Sequence, residues 1–308
     1  MNTLSKRLLA ALAVVVTAAA QAQLVVTPID GTTVTATSLA NSLLSASSGI
    51  TITNATYTGA NGASGTFSGG TGIIGIANGV LLTSGSVNNV VGPNNDSGAS
   101  TDNSLPGDAD LTTLAGTATF DASVLTITFV PTGNQVQFSY VFGSEEYNEF
   151  IGQFNDPFGF LVNGVNRAVV PGTTTPVTVN NINCGSTGTG TGPNCTLFIN
   201  NSPPTLNTQL DGITTVLTFS ATVNPNVPNT LKIAIADASD NSLDSAVFIA
   251  GGTLTVCGGP GQPPCGGTPP PPPPPVQAAT IPTLSEWTLI GLSMLAAMIG
   301  MVAVRRRR

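Results

Sequence analysis

Residues 136–164 read VQFSYVFGSEEYNEFIGQFNDPFGFLVNG. Val136, Phe138, Tyr140 and Phe142 alternate with Gln137 and Ser139. A period of two puts the first set on one face of an extended chain, so the segment reads as a half-buried β-strand. Gly143 ends it, and Glu145, Glu146, Glu149 and Asp156 follow within twelve positions. Phe142, Phe150, Phe154, Phe158 and Phe160 surround these acids. Only 7% of the chain is charged, so this is a local concentration of acid beside a dense apolar cluster. Two readings fit: a solvated turn beside a core strand, or a cation site or carboxylate pair at a sheet edge.

Outward from this stretch the strand signal is regular. LTITFV (125–130), FGFLV (158–162), TPVTVNNI (175–182), TTVLTFSATV (214–223), LKIAIAD (231–237) and AVFIAGGTLTV (246–256) all read as strands. Asn163-Gly164 is a hairpin turn that would pair FGFLV with NRAVV (166–170). Upstream, ITITNATYTG (50–59) and GVLLTSG (79–85) are further strands. SLANSLLSA (38–46) is the one helix expected, capped by Ser38. Residues 88–110, with Asp96, Asp102, Asp108 and Asp110, read as loop. Lys232 falls in a strand pattern and is expected to face solvent. Strands that turn every eight to twelve residues predict a mainly β protein, an antiparallel β-sandwich of jelly-roll type. One short N-terminal helix and a C-terminal transmembrane helix complete the expected fold.

The chain ends carry addresses rather than fold. Lys6 and Arg7 precede an apolar run over 8–20, and Ala20-Gln21-Ala22 fits a small-x-small cleavage site. Residues 1–22 therefore read as a signal peptide. At the other end, Ile281-Pro282-Thr283-Leu284-Ser285-Glu286-Trp287 precedes an apolar run over 288–304 and four closing arginines. Seventeen residues rise about 25 Å as a helix, near the lower limit for a membrane span. The arginines would stay cytoplasmic and leave everything upstream outside. Motif, helix and arginine cluster resemble the IPTL-type sorting signals of Gram-negative bacteria, related to signals read by exosortases. The resemblance implies that the helix is a transient anchor, and that a sorting protease at the inner membrane is a partner.

Between the signals, over 23–280, only Arg167 and Lys232 are basic, against fourteen acids. No basic patch can form, which argues against nucleic acid as a partner. The four cysteines sit in an exported segment, so disulfides are expected. Sequence neighbours favour Cys184 with Cys195 and Cys257 with Cys265, out of three pairings. Residues 257–280 form a Cys/Gly/Pro-rich linker, whose prolines over 269–275 give about 22 Å of extended spacer.

With no histidine, neither a Ser–His–Asp site nor an imidazole metal site can form, and no catalytic residue is assigned. The carboxylates suit calcium, a hard cation that takes six to eight oxygens. The expected ligands are Glu145, Glu146, Asn155, Asp156, Asp237, Asp240 and Asp244, provided the 145–156 and 237–244 loops are neighbours. The bland alternative is that these acids keep a poorly charged β surface soluble.

FGSEEYNEFIGQFNDPFGFLVNG (142–164), DGITTVLTFSATV (211–223) and LKIAIADASDNSLDSAVFIAGG (231–252) resemble the choice-of-anchor L family, bacterial surface or secreted proteins. The likeness extends over most of 38–256 and implies a β-rich extracellular domain over 23–256 with no established activity. The combined expectation is an exported, non-enzymatic surface or matrix protein, adhesive or structural, with matrix polysaccharide or a surface protein as partner. The alternative is a carbohydrate-binding module or a carboxylate-dependent carbohydrate-active enzyme, with a groove lined by Tyr140 and Tyr147.

Overall fold

The computed structural model describes residues 23–265, apart from Pro260 and Pro263. In chain order its elements are β1 (Val25–Pro28), α1 (Ala36–Leu43), β2 (Ile50–Thr58), β3 (Ser64–Ser68), β4 (Asn78–Thr83), α2 (Ala109–Ala115) and β5 (Thr119–Pro131). There follow β6 (Gln135–Ser144), β7 (Phe158–Val162), β8 (Val165–Asn166), β9 (Phe198–Asn200), β10 (Gly212–Thr214), β11 (Leu217–Thr222), β12 (Asn229–Ala238), β13 (Ser245–Ala250) and β14 (Thr255–Val256). The signal segment with Ala20 and Ala22, the proline spacer, the 281–287 motif and the membrane helix expected over 288–304 lie outside the described residues. Among the described residues, no helix is long and apolar enough to cross a membrane.

The strands form two antiparallel sheets. The larger, of nine strands, runs β1-β3-β4-β13-β6-β10-β9, with β11 and β14 also paired to β6. The smaller, of five, runs β2-β5-β12-β7-β8. β6 is the hub of the larger sheet. Its upper end pairs with β13 on one edge and β10 on the other, and its lower end pairs with β14 and β11. The sheets face one another across rings from both. Phe160 of the smaller sheet lies 4.8 Å from Phe138 and 4.9 Å from Tyr140 of the larger, centroid to centroid. This sandwich-like packing is what the alternation predicts. A jelly roll instead shares about eight strands between its two sheets.

β6 differs from the half-buried strand expected, since both its faces are covered. Phe138, Tyr140 and Phe142 enter the inter-sheet core, while Val141 enters a second core with Phe67, Leu81 and Phe248. Ile73, Ile74, Val87 and Val90 from the connecting segments close that second face. The cover comes from distant sequence, so the pattern of β6 alone cannot announce it.

Several local readings are corrected. α1 starts earlier than expected: Thr35, not Ser38, is its cap. Thr35 Oγ1 accepts the Ser38 N–H at 3.1 Å, and Ser38 Oγ accepts the Thr35 N–H at 2.8 Å, a reciprocal box. TPVTVNNI is not a strand. Its Val177, Val179 and Ile182 are buried in the main core, but the backbone turns, with Asn181 and Ile182 N–H both donating to the Thr178 carbonyl. NRAVV contributes only Asn166 to β8. The cysteines pair as their spacing suggests, Cys184–Cys195 and Cys257–Cys265, with Cα separations of 4.7 and 5.0 Å.

The loop expected over 88–110 ends inside an unforeseen helix. Asp108 caps α2 by accepting the Asp110 and Leu111 N–H groups at 3.0 and 3.3 Å. It also accepts from Lys232, which reaches Asp108 and Asp110 at 2.7 Å instead of facing solvent unpaired. Leu111 then docks α2 on Ala234 and Ala236, on the outer face of the smaller sheet. Asp108→Ala is expected to cost about 1–2 kcal/mol, a lost cap plus a half-exposed ion pair. Chemical denaturation should show a lower midpoint with an unchanged slope.

Candidate metal centre

The alternation that builds the sheets continues past their ends and sorts the acids onto two faces. On β6, Phe138, Tyr140 and Phe142 point into the inter-sheet core, and Ser144 and Glu146 continue that face. On β12, Leu231, Ile233 and Ile235 do the same and Asp237 continues it. On β7, Phe158 and Phe160 are core, and Asp156 lies two residues before Phe158. Three strands from two sheets thus bring Glu146, Asp156 and Asp237 to one end of the core. Glu146 and Asp237 are 0% exposed, Asp156 only 1%.

Asp156 is well held. Its Oδ1 accepts the Ala238 N–H at 2.9 Å and its Oδ2 accepts the Ser245 hydroxyl at 2.7 Å. Ser245 Oγ lies 2.8 Å from Ser144 Oγ, which accepts the Glu146 N–H at 2.9 Å. By contrast, both carboxylate oxygens of Glu146 and both of Asp237 are buried without a hydrogen-bond partner. The Ser84 hydroxyl sits close enough to Asp237 to oppose the rise that burial imposes on its pKa, but not in hydrogen-bonding geometry.

Burial dominates the electrostatics. It pushes Glu146 up to about 9, with Asp156, Asp240 and Glu149 adding repulsion. It raises Asp156 to about 8, against the bonds from Ser245 and Ala238. Asp237 rises well above the usual carboxylate range for the same reason, with repulsion from Asp156 adding to it. Desolvation disfavours an ionised carboxylate, and neighbouring carboxylates disfavour it further.

The remaining expected ligands separate. Glu145 and Asp244 continue the opposite face of the larger sheet, since neighbours along a strand point to opposite sides. Glu145 is 1% exposed and both its oxygens lack partners, whereas Asp244 accepts from Asn89 at 2.9 Å and from the Thr101 N–H at 3.1 Å. Its carboxylate packs directly on Gly85, where any added Cβ would collide with it. Asp240 is half-exposed in the 239–243 turn, close enough to raise Glu146. Asn155 does not join the group: its Oδ1 accepts the Asn180 N–H at 3.0 Å and ties two loops together. The expected adjacency of the two acidic loops therefore holds for Glu146, Asp156 and Asp237. Ser84, Ser144, Ser245 and Asp211 are polar neighbours that strand patterns did not flag.

Tyr140 and Tyr147, the aromatic lining a sugar groove there would need, are both buried, at 1% and 0% exposure. Among the described residues, no three Asp, Glu or Cys side chains stand in an arrangement that would by itself hold a metal ion.

The Choice-of-anchor L domain profile matches residues 26–255, all but the first and last residues of the two sheets. The chain belongs to the choice-of-anchor L family. A second profile, the IPTL-CTERM motif, matches residues 279–308. No curated protein and no solved structure matches the chain significantly. A choice-of-anchor L domain followed by this motif marks a protein directed to the cell surface, and the motif is consistent with processing by a sorting enzyme.

Proposed function

We propose that this choice-of-anchor L protein is a non-enzymatic component of the bacterial surface or extracellular matrix, adhesive or structural, with calcium fastening its two sheets at Glu146, Asp156 and Asp237. The observation that carries this reading is the burial of Glu146 and Asp237 with all four oxygens unpartnered. A buried carboxylate in that state is costly whether charged or neutral, since a neutral one still leaves an O–H and a carbonyl unsatisfied. Calcium accepts carboxylate, hydroxyl, carbonyl and water oxygens in flexible numbers, so a few acids with neutral partners suffice. Asp156, held by Ala238 and Ser245, supplies a fixed point beside the other two acids. Half-exposed Asp240 stands where an ion would enter.

Burial also argues against carboxylate catalysis on a polymer, because a glycosidic bond cannot reach acids that are 0% exposed. At Glu146, Asp156 and Asp237 the carbohydrate-active alternative thus has no accessible acid, and the two tyrosines expected to line its groove, Tyr140 and Tyr147, are buried. In the preferred reading the chain crosses the inner membrane, is held briefly by its C-terminal helix, and is cut by an exosortase-like protease. The exported domain then contacts matrix polysaccharide or another surface protein.

Cell attachment tests this. Cells displaying the wild-type protein should adhere or hold matrix in calcium and lose that property in chelator, and Glu146→Gln cells should lose it in both. Release of sugars from matrix polysaccharide by the purified protein, abolished by Asp237→Asn, would establish the enzyme instead.

A further inference from the structure

The back face of the larger sheet carries a second set of acids, built by strand register. Ser144 of β6 pairs with Gly212 of β10 on one edge and with Ser245 of β13 on the other. Because these pairings are antiparallel, the next row brings together Glu145, which follows Ser144, and Asp211 and Asp244, which precede Gly212 and Ser245. The Glu145 N–H still donates to the Asp244 carbonyl at 3.1 Å. Directly opposed residues have Cβ atoms about 5 Å apart, and like charges so placed repel. Asp211 is 3% exposed, Glu145 1% and Asp244 2%, so water does not screen them.

The flanking acids are held in place, and the central one is not. Asp211 accepts from Asn94 Nδ2 at 2.7 Å, and Asp244 accepts from Asn89 and Thr101. Glu145, between them, has both oxygens unpartnered. Gln209 lies near it, but its amide donates to Asn94 Oδ1 at 3.3 Å and to the Asp96 carbonyl. The covering segment, residues 92–104, is attached through these same acids and amides and has almost no regular structure of its own. Protonation of Glu145 would remove its charge but leave its new O–H without an acceptor.

We propose that Glu145, with Asp211 and Asp244, holds a second calcium-class divalent cation on the back face of the larger sheet, latching the 92–104 segment onto it. Ser100 Oγ, 3.4 Å from Asp244 Oδ1, and the Asn94 Oδ1 and Asp96 carbonyl that Gln209 bonds are neutral oxygens beside this row. The site uses different residues from the Glu146–Asp237 group and lies on the other side of the sheet. Asp244 is still near enough to repel Asp156 and Asp237, so the two sites are told apart by Glu145→Gln and Asp211→Asn against Glu146→Gln.

The test is calcium stoichiometry of the purified full chain by equilibrium dialysis with calcium alone, on wild type and on the Glu145→Gln, Asp211→Asn and Glu146→Gln variants. Two ions are expected for wild type. One is expected for Glu145→Gln and for Asp211→Asn, each weakening the back-face ion at least tenfold, and one for Glu146→Gln. A wild type that binds one ion, lost in Glu145→Gln and kept in Glu146→Gln, supports the back-face site and removes the inter-sheet one. Unchanged binding in both Glu145→Gln and Asp211→Asn, or no binding by wild type, overturns the proposal. Should those variants not fold, the wild type still decides by proteolysis. Calcium should slow cleavage within 92–104 at least several-fold, and equal cleavage in calcium and chelator overturns it.

Discussion

Phe160→Ala should lower the stability of the exported domain by about 3–5 kcal/mol, the usual cost of deleting a fully buried aromatic ring. Phe160 is 0% exposed and its ring meets those of Phe138, Tyr140, Phe158 and Phe219, at centroid distances of 4.8, 4.9, 5.2 and 5.4 Å. With Phe158 it is the smaller sheet's contribution to a ring cluster otherwise supplied by β6 and β11. Alanine would leave a cavity that stacked and edge-on rings on both sides are too rigid to fill. For a domain of this size, each kcal/mol shifts the melting temperature by about 2–4 °C, so a fall on the order of 10 °C is expected in a thermal scan. A loss below 1 kcal/mol would mean the sheets do not share this core.

The second large effect is a dependence on pH that runs opposite to ordinary acid denaturation. In chelator, the folded chain holds protons on Asp156, Glu146 and Glu145 up to about 8, 9 and 10, whereas the unfolded chain releases them near 4. Between those limits the folded state binds more protons, so stability falls as pH rises. It is greatest below the unfolded values and is lost progressively toward the folded ones. One such proton costs about 1.4 kcal/mol per pH unit, roughly 3–5 °C in melting temperature. Asp211, raised to about 6, contributes only to the lower part of this range. Calcium binds the deprotonated acids, so a saturating concentration should flatten the profile. Scans at pH 5, 6, 7 and 8 in chelator and in calcium measure both effects. A chelator profile that rises with pH would show that these acids are ionised and satisfied without a cation.

The period-two signal at 136–142 was sufficient to identify the central strand, because the physics of a strand is local. The same was true of β2, β4, β7 and β12, each a β-branched or aromatic run bounded by turn residues. TPVTVNNI shows the limit: its apolar alternation records burial truthfully, but buried turns need apolar residues as much as strands do. Asp108 shows another. An Asp before ADLTTLA is an ordinary N-cap signal, hidden by the Asn-, Gly- and Ser-rich residues that precede it. For the acids, the sequence supplied the inventory but put Glu145 and Glu146 in one ligand set, whereas adjacent strand residues face opposite sides. It could not supply the partners, because Asp211 reaches Glu145 only through the register of β10 on β6. Asn155, chosen for its neighbours in sequence, was committed to Asn180 instead.

The central claim is that a cation relieves the buried carboxylates between the sheets. Thermal unfolding of the purified protein at pH 7.5, in calcium and in chelator, beside Glu146→Gln and Asp237→Asn, tests it most directly. Stabilisation by a bound ion grows with its excess over Kd, reaching about 2.7 kcal/mol at a hundredfold excess. The account predicts that calcium raises the wild-type melting temperature by several degrees, and that in each variant the part of this rise due to the inter-sheet ion is lost. It also predicts that both variants melt above the wild type in chelator, since each removes a buried uncompensated acid. Superimposed wild-type curves in calcium and chelator, with both variants less stable than the wild type in chelator, would contradict it.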